Sequence, residues 1–170
     1  MIRSYYAADV TYVIEAHRKI YKEEYGYDES FVAFITQNVT SLEKRNHHRE
    51  NVWIVDEHGQ QRGSIAIQEA SETIAKLGLF LVDPEARGKG YAEQLLQTAI
   101  RFCIDKGYEQ IDLITNAKLL AARKLYRKNG FTVISSWSEE KSGQVLEEEQ
   151  WRLELSPTAP DHSLPLQQPL

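Results

Sequence analysis

The sequence predicts one α/β domain, built as a mixed β-sheet with helices on its faces. Three observations carry that reading. Strand-like and helix-like segments succeed one another in the order β-α-α-β-β-β-α-β-α-β-β. One apolar strand runs into a basic, glycine-rich bend, Leu81-Val82-Asp83-Pro84-Glu85-Ala86-Arg87-Gly88-Lys89-Gly90-Tyr91-Ala92, which opens an amphipathic helix. The chain has 170 residues, 42% of them hydrophobic and 26% charged, which suits one domain with a real core.

Residues 1–5 read as a short strand. Residues 8–24 carry Val10, Val13, Ile14, His17, Ile20 and Tyr21 at helical spacing, and Gly26 interrupts them. Asp28 is placed to cap a second helix, which shows Phe31, Phe34, Ile35, Val39 and Leu42 on one side. Residues 44–51 are polar and read as a connection. Residues 52–56 and 63–69 read as two strands joined through Glu57-His58-Gly59-Gln60, a hairpin signal. Residues 73–82 form a longer strand. A helix follows from Gly88 or Gly90 to Lys106, where Gly107 stops it. Its apolar residues Ala92, Leu95, Leu96, Ala99, Ile100 and Cys103 recur at three and four. Residues 110–115 read as a strand and 118–128 as a short helix ended by Asn129-Gly130. Residues 131–137 and 146–155 are the closing strands. The domain is therefore expected over 1–155. The segment 156–170 holds four of the five prolines and no aromatic residue, and is expected to be a flexible tail.

Composition narrows the partners. A formal net charge of −5 argues against a nucleic-acid coat. Local basic clusters at Arg87 and Lys89, and at Arg123, Lys124, Arg127 and Lys128, suit a compact anion better than a polymer. The single cysteine, Cys103, rules out an internal disulfide framework and reads as a small core hydrophobe. No signal peptide is readable and no apolar run approaches the roughly 20 residues of a membrane helix, so a cytoplasmic protein without membrane contact is expected. No His, Cys, Asp or Glu cluster has metal-ligand spacing, and no metal is expected.

The bend at 81–92 has the construction of a phosphate cradle. The first amides of a helix point outward unpaired, and the helix dipole places positive potential there. Glycines remove the side chains that would keep a phosphate away.

The order of elements and two motifs resemble the GNAT superfamily of acetyl-CoA-dependent N-acyltransferases. The first motif, Gln/Arg-x-x-Gly-x-Gly/Ala, reads here as Arg87-Gly88-Lys89-Gly90-Tyr91-Ala92. The second, Leu-Tyr-x-x-x-Gly-Phe, reads as Leu125-Tyr126-Arg127-Lys128-Asn129-Gly130-Phe131. The resemblance covers residues 2–155. Within the superfamily the chain looks like the acetyltransferase module often found behind MarR-type DNA-binding domains. The residues supporting this are Glu24-Tyr25-Gly26-Tyr27, Ala75-Lys76-Leu77, Thr115-Asn116 with Ala121-Ala122-Arg123, and Gln150-Trp151-Arg152-Leu153-Glu154-Leu155. No winged helix precedes the first strand, so the DNA-binding half is expected to be absent.

The resemblance implies a GNAT acyl-CoA N-acyltransferase fold and acetyl-CoA as co-substrate. Its diphosphate would sit on the amides of Gly88, Lys89, Gly90, Tyr91 and Ala92. Arg87 would either donate to phosphate or pair with a carboxylate such as Glu85. Main-chain groups of Leu81 and Val82 would meet the pantetheine amides. Gly78, inside that strand, would mark a bulge or needed space, or simply pack. Ala122 belongs to the same cofactor-binding set. Asn116 would contact pantetheine or cap the following helix, since Leu119 stands where many relatives carry an Asn. Tyr126 would be the general acid for the leaving thiolate, or a core tyrosine beside Phe131.

Several relatives place a catalytic Glu on the fourth strand, where this chain offers only Lys76. Glu24, Glu69 and Glu72 are then the candidate bases, each also readable as a surface carboxylate. Glu69 is taken as substrate-binding along with Tyr25 and Tyr27, which flank Gly26 and could line an aromatic amine pocket or pack as core. Six of nine tyrosines lie in the first 27 residues. His17 reads as structural and His47-His48 as solvated loop. The expected activity is acetyl transfer to a small-molecule, peptide or protein amine. Another acyl-CoA, or a CoA-sensing module with little catalysis, are the competing readings. A homodimer through the last strand with Trp137 and Trp151 is compatible with the sequence.

Overall fold

The computed structural model describes residues 1–155; the expected flexible tail, 156–170, lies outside the described residues. Seven strands and four helices follow in chain order: β1 (Ile2–Ser4), α1 (Asp9–Tyr25), α2 (Glu29–Arg45), β2 (Asn51–Glu57), β3 (Gln60–Glu69), β4 (Ile74–Val82), α3 (Tyr91–Asp105), β5 (Gln110–Asn116), α4 (Leu120–Lys128), β6 (Thr132–Lys141) and β7 (Gln144–Glu154). A single 3₁₀ turn, Pro84–Ala86, lies between β4 and α3. The strands form one sheet in the order β1-β2-β3-β4-β5-β7-β6.

Local chemistry sets the boundaries. The Asp28 carboxylate accepts from the Ser30 amide at 3.0 Å and starts α2. Gly26 ends α1 in the left-handed region at φ 71°. Strand β2 is buried on both faces. Trp53 and Val55 join the core under α3, while Val52 and Ile54 join the core under α1 and α2. Leu95, Leu96, Ala99 and Cys103 bury one stripe of α3. Burial pushes the Cys103 thiol up to about 12, so it packs and does not react.

Every strand pair is antiparallel except β4 with β5. That pair holds for three positions only, Ile74 with Gln110, Ala75 with Ile111 and Lys76 with Asp112. Beyond Lys76 the strands part, while β5 stays paired with β7 along its whole length. The gap is the feature that positions the site. Strand β6 runs to Lys141, beyond the residue 137 at which the sequence pattern fades. It is an edge strand with almost every residue exposed, so no apolar alternation marks it. Among the described residues no helix is long and apolar enough to cross a membrane.

Candidate active site

A cavity of about 950 Å³ opens where β4 and β5 part. The exposed edges of Leu77–Val82 and Leu113–Asn116 make its two sides. The glycine bend closes one end, and the α1–α2 junction with the β6–β7 hairpin closes the other.

At the first end, Gly88 and Gly90 have φ of 82° and 85°, in the left-handed region that side chains resist. Both precede α3, so neither weakens the helix interior. Among the described residues no side chain caps α3, and its first amides have no partner there at the cavity wall beside Tyr91 and Ala92. The basic side chains of the bend are already engaged. Arg87 Nη1 lies 3.0 Å from Glu24 of α1, 63 residues away in sequence, and is not paired with Glu85. Lys89 Nζ is 3.0 Å from Glu57, and the Tyr91 hydroxyl donates to the same carboxylate at 2.6 Å. Lys89 is therefore turned toward β2 and does not line the cavity. What the bend could offer a phosphate is backbone first, since the Arg87 guanidinium is already paired with Glu24.

The bulge expected at Gly78 falls one residue later. Leu79 has φ 49°, and the register with β3 slips between Ser64 and Ala66. The Ser64 hydroxyl donates to the Leu79 carbonyl at 2.6 Å and pins the kink. A side chain built at Gly78 would meet nothing within 4 Å, so this glycine is not a packing glycine. It lines the cavity with Leu81 and Val82.

Tyr126 lies at the floor. It is 5% exposed, packed against Phe80, Phe131 and Trp151, and lines the cavity. Its hydroxyl has no hydrogen-bond partner among the described residues and is not sealed off from the cavity. Burial raises its ionisation far above the ordinary phenol value, and the nearby Tyr21 adds to this, so it holds its proton. Leu119 and Ala122 of the α4 segment also face the cavity. Asn116 does two things at once. Its carbonyl oxygen accepts from the Lys118 amide at 2.7 Å, shaping the turn into α4, and its Nδ2 donates to the Tyr27 hydroxyl at 3.2 Å.

The other end is aromatic. Tyr21 is the hub, with ring centroids 4.7 Å from Phe31, 5.3 Å from Tyr27 and 5.7 Å from Tyr25. His17 stacks on it, and its Nδ1–H donates to the Val13 carbonyl at 2.7 Å. Burial lowers the imidazole to about 4, so His17 is a neutral backing for the wall. The β6–β7 turn docks beneath. Gln144 Nε2 donates to the Tyr25 carbonyl at 2.8 Å, and the Asp28 amide donates to the Ser142 carbonyl at 3.1 Å. A Cβ at Gly143 would stand 2.9 Å from the Asp28 carboxylate, so only glycine allows this approach.

Glu69 is a correction. It lies outside the cavity, at the far end of β3 opposite Ala75, where Arg49 holds it at 2.7 Å and His47 stands at 3.6 Å. Glu72 is outside too, its carbonyl accepting from Arg49. Strand β4 is paired at that end, and the opening is at the other. Sequence reasoning passed over Glu148, a carboxylate of β7 that is 3% exposed and lines the cavity beside Asn116 and Trp137. Its only signal was a carboxylate at an inward-facing position of a closing strand. Among the described residues no group of three or more His, Cys, Asp or Glu could hold a metal.

A mixed sheet split at one parallel pair, with a helix N-terminus at the mouth of the split, defines an acyltransferase-type α/β domain. The family model described as an acetyltransferase (GNAT) domain matches residues 16–146, and the chain belongs to that family. Human N-acetyltransferase 8B is 35% identical over 71 residues, 41% of this chain and 31% of that protein. Rat N-acetyltransferase 8B is 31% identical over 93 residues, 54% of this chain and 38% of that protein. The aligned part thus spans about a third of these curated relatives' length. The ribosomal-protein-alanine N-acetyltransferase of Brucella melitensis shares the fold at a TM-score of 0.77 and 20% identity, covering 91% of this chain and 99% of that one. The yncA protein of Salmonella typhimurium, solved with its cofactor acetyl-CoA, superposes at 0.75 and 20% identity, covering 95% and 97%.

Proposed function

We propose that this protein transfers the acetyl group of acetyl-CoA to a primary amine by direct attack in a ternary complex. The observation that carries this reading is the gap between β4 and β5. It presents unpaired strand edges to a chain of amides, with a backbone phosphate cradle at its mouth and a protonated phenol at its floor. The amine forms the new C–N bond at the thioester carbonyl, the C–S bond breaks, and CoA leaves as the thiol while the acceptor's ammonium proton passes to a base or water.

Each residue then has a task. The amides of Gly88 to Ala92 hold the diphosphate, and Arg87 joins them by leaving Glu24. Leu81 and Val82 meet the pantetheine amides as a paired strand would. Tyr126 supplies a proton or hydrogen bond to the departing sulfur. Glu24, set free by Arg87, is the carboxylate that takes protons at the rim of the aromatic wall. Tyr25 and Tyr27 face the acceptor.

A thiol-release assay with acetyl-CoA over a panel of small amines and peptides tests the proposal, with Tyr126→Phe as control. Transfer that is lost in the variant supports it. Retained CoA binding with no transfer to any amine identifies a CoA-sensing module instead, and faster release from propionyl- or succinyl-CoA identifies another acyl donor.

A further inference from the structure

At the acceptor end a buried carboxylate in the cavity wall pairs with a partly exposed ammonium. Trp137, Glu139 and Lys141 alternate along one face of β6, and all three line the cavity. Opposite them on β7 stand Glu148, Leu146 and Gln144, in the pairs Trp137–Glu148, Glu139–Leu146 and Lys141–Gln144. Lys141 is thus placed four residues along the hairpin from Glu148, yet its ammonium forms an ion pair with the Glu148 carboxylate. Its alkyl arm reaches back along the hairpin to get there. The Glu148 side chain is 4% exposed while that of Lys141 is 41% exposed. The carboxylate is fixed in the wall and the cation comes from the solvent side. Tyr27 is close enough to feel the charge of Glu148, and Asn116 sits directly across from it on β5.

A buried carboxylate without a cation would be costly. A primary ammonium on an unbranched alkyl arm is the group this pocket already accommodates, in a wall that also carries Tyr27 and Trp137. We propose that Glu148 is the carboxylate that receives the acceptor's ammonium, and that Lys141 occupies that place until an alkylammonium acceptor displaces it. The acceptor class is then a primary amine on an unbranched alkyl arm, a lysine side chain or a free alkylamine. The proposal rests on the amine-acceptor reading above and adds the residue that selects the amine.

The test is calorimetric titration of the CoA-saturated full chain with n-pentylamine and with Nα-acetyl-lysine methylamide, 1-pentanol serving as the uncharged control. Lys141→Met is expected to bind both amines about ten-fold tighter than the unsubstituted protein, since no internal cation competes, and Glu148→Gln about ten-fold weaker. Pentanol is expected to be indifferent to both changes. Thermal melts confirm that each variant folds, and Lys141→Ala repeats the first arm if Lys141→Met does not. Equal amine affinity in all forms, equal weakening in both variants, or no amine binding in any form overturns the proposal. In the transfer assay the amine KM should follow the same pattern with the acetyl-CoA KM unchanged. The predicted binding pattern without any transfer would sink the catalytic reading and leave this one standing. Transfer with an amine KM blind to Glu148→Gln would do the reverse.

Discussion

The two ends of the cavity are made of different material. The end at 78–92 is built from backbone: glycines with positive φ, free amides at the start of α3 and an unpaired strand edge. The end at α1, α2 and the β6–β7 hairpin is built from side chains, an aromatic cluster around Tyr21 and the Lys141–Glu148 pair. On the proposed function, the backbone groups meet what every acyl-CoA shares, a diphosphate and two amides. Side chains can be exchanged one at a time without disturbing the sheet, so the side-chain end is where an acceptor can be specified.

Perturbing each end separately sharpens this contrast. The largest effect is expected at the boundary between them. Tyr126→Phe should lower kcat by about 100-fold or more, in the range of general acid catalysis, and leave CoA affinity within about two-fold. A matching loss of CoA affinity would show that Tyr126 belongs to the donor end as packing.

The next concerns His17, behind the aromatic wall. Its folded value of about 4 lies below the ordinary 6.5, so between those values the unfolded chain binds a proton that the fold refuses. Its contribution is whole above about pH 6.5 and is lost as pH falls toward 4, by up to about 3 kcal/mol. Denaturant melts at pH 7 and 4.5 should show a smaller loss in His17→Gln than in the unsubstituted protein. A parallel loss in both would remove His17 as the cause.

Gly90→Val acts on the donor end alone. Forcing a β-branched residue to φ 85° costs on the order of 2 kcal/mol, and acetyl-CoA should bind about 30-fold weaker by calorimetry while alkylamine binding holds. The smallest change lies outside both ends. His58 has φ 54° in the β2–β3 hairpin, where Asn is favoured ahead of Gly59. His58→Asn should stabilise the fold by about 0.5 kcal/mol, read as a shifted denaturant midpoint, with transfer unchanged.

The same contrast explains what the sequence revealed. Backbone sites need particular residue types at fixed spacing, so Arg87 to Ala92 could be read directly, and the periodicity of α3 located the helix that follows them. Partners distant in sequence left no such mark. Arg87 finds Glu24 across 63 residues only because α1 crosses the mouth of the split. Glu69 looked available because it sits beside a turn, but antiparallel register sends that end of β3 away from the opening. The kink at Leu79 is hidden by a residue type that ordinarily favours extended or helical backbone. Lys141 leaves no mark because β6 is a polar edge strand, without the alternation that would reveal its length or its inward face. Glu148 lies on β7 inside the acidic run Glu147-Glu148-Glu149, where the residue types do not separate the buried carboxylate from its neighbours.

The three-residue contact between β4 and β5 has a mechanical meaning. Among the described residues it is the only parallel seam in the sheet, and beyond it the β1–β4 half and the β5–β7 half separate around the cavity. A donor whose amides pair along Leu81 and Val82 supplies rungs that this ladder lacks. On that reading acetyl-CoA is a structural member as well as a reactant, and the spent CoA keeps the same rungs after the acetyl group has gone. The gap would then reopen at product departure, not at the chemical step, and amide exchange along the free edge of β4 should report when it does.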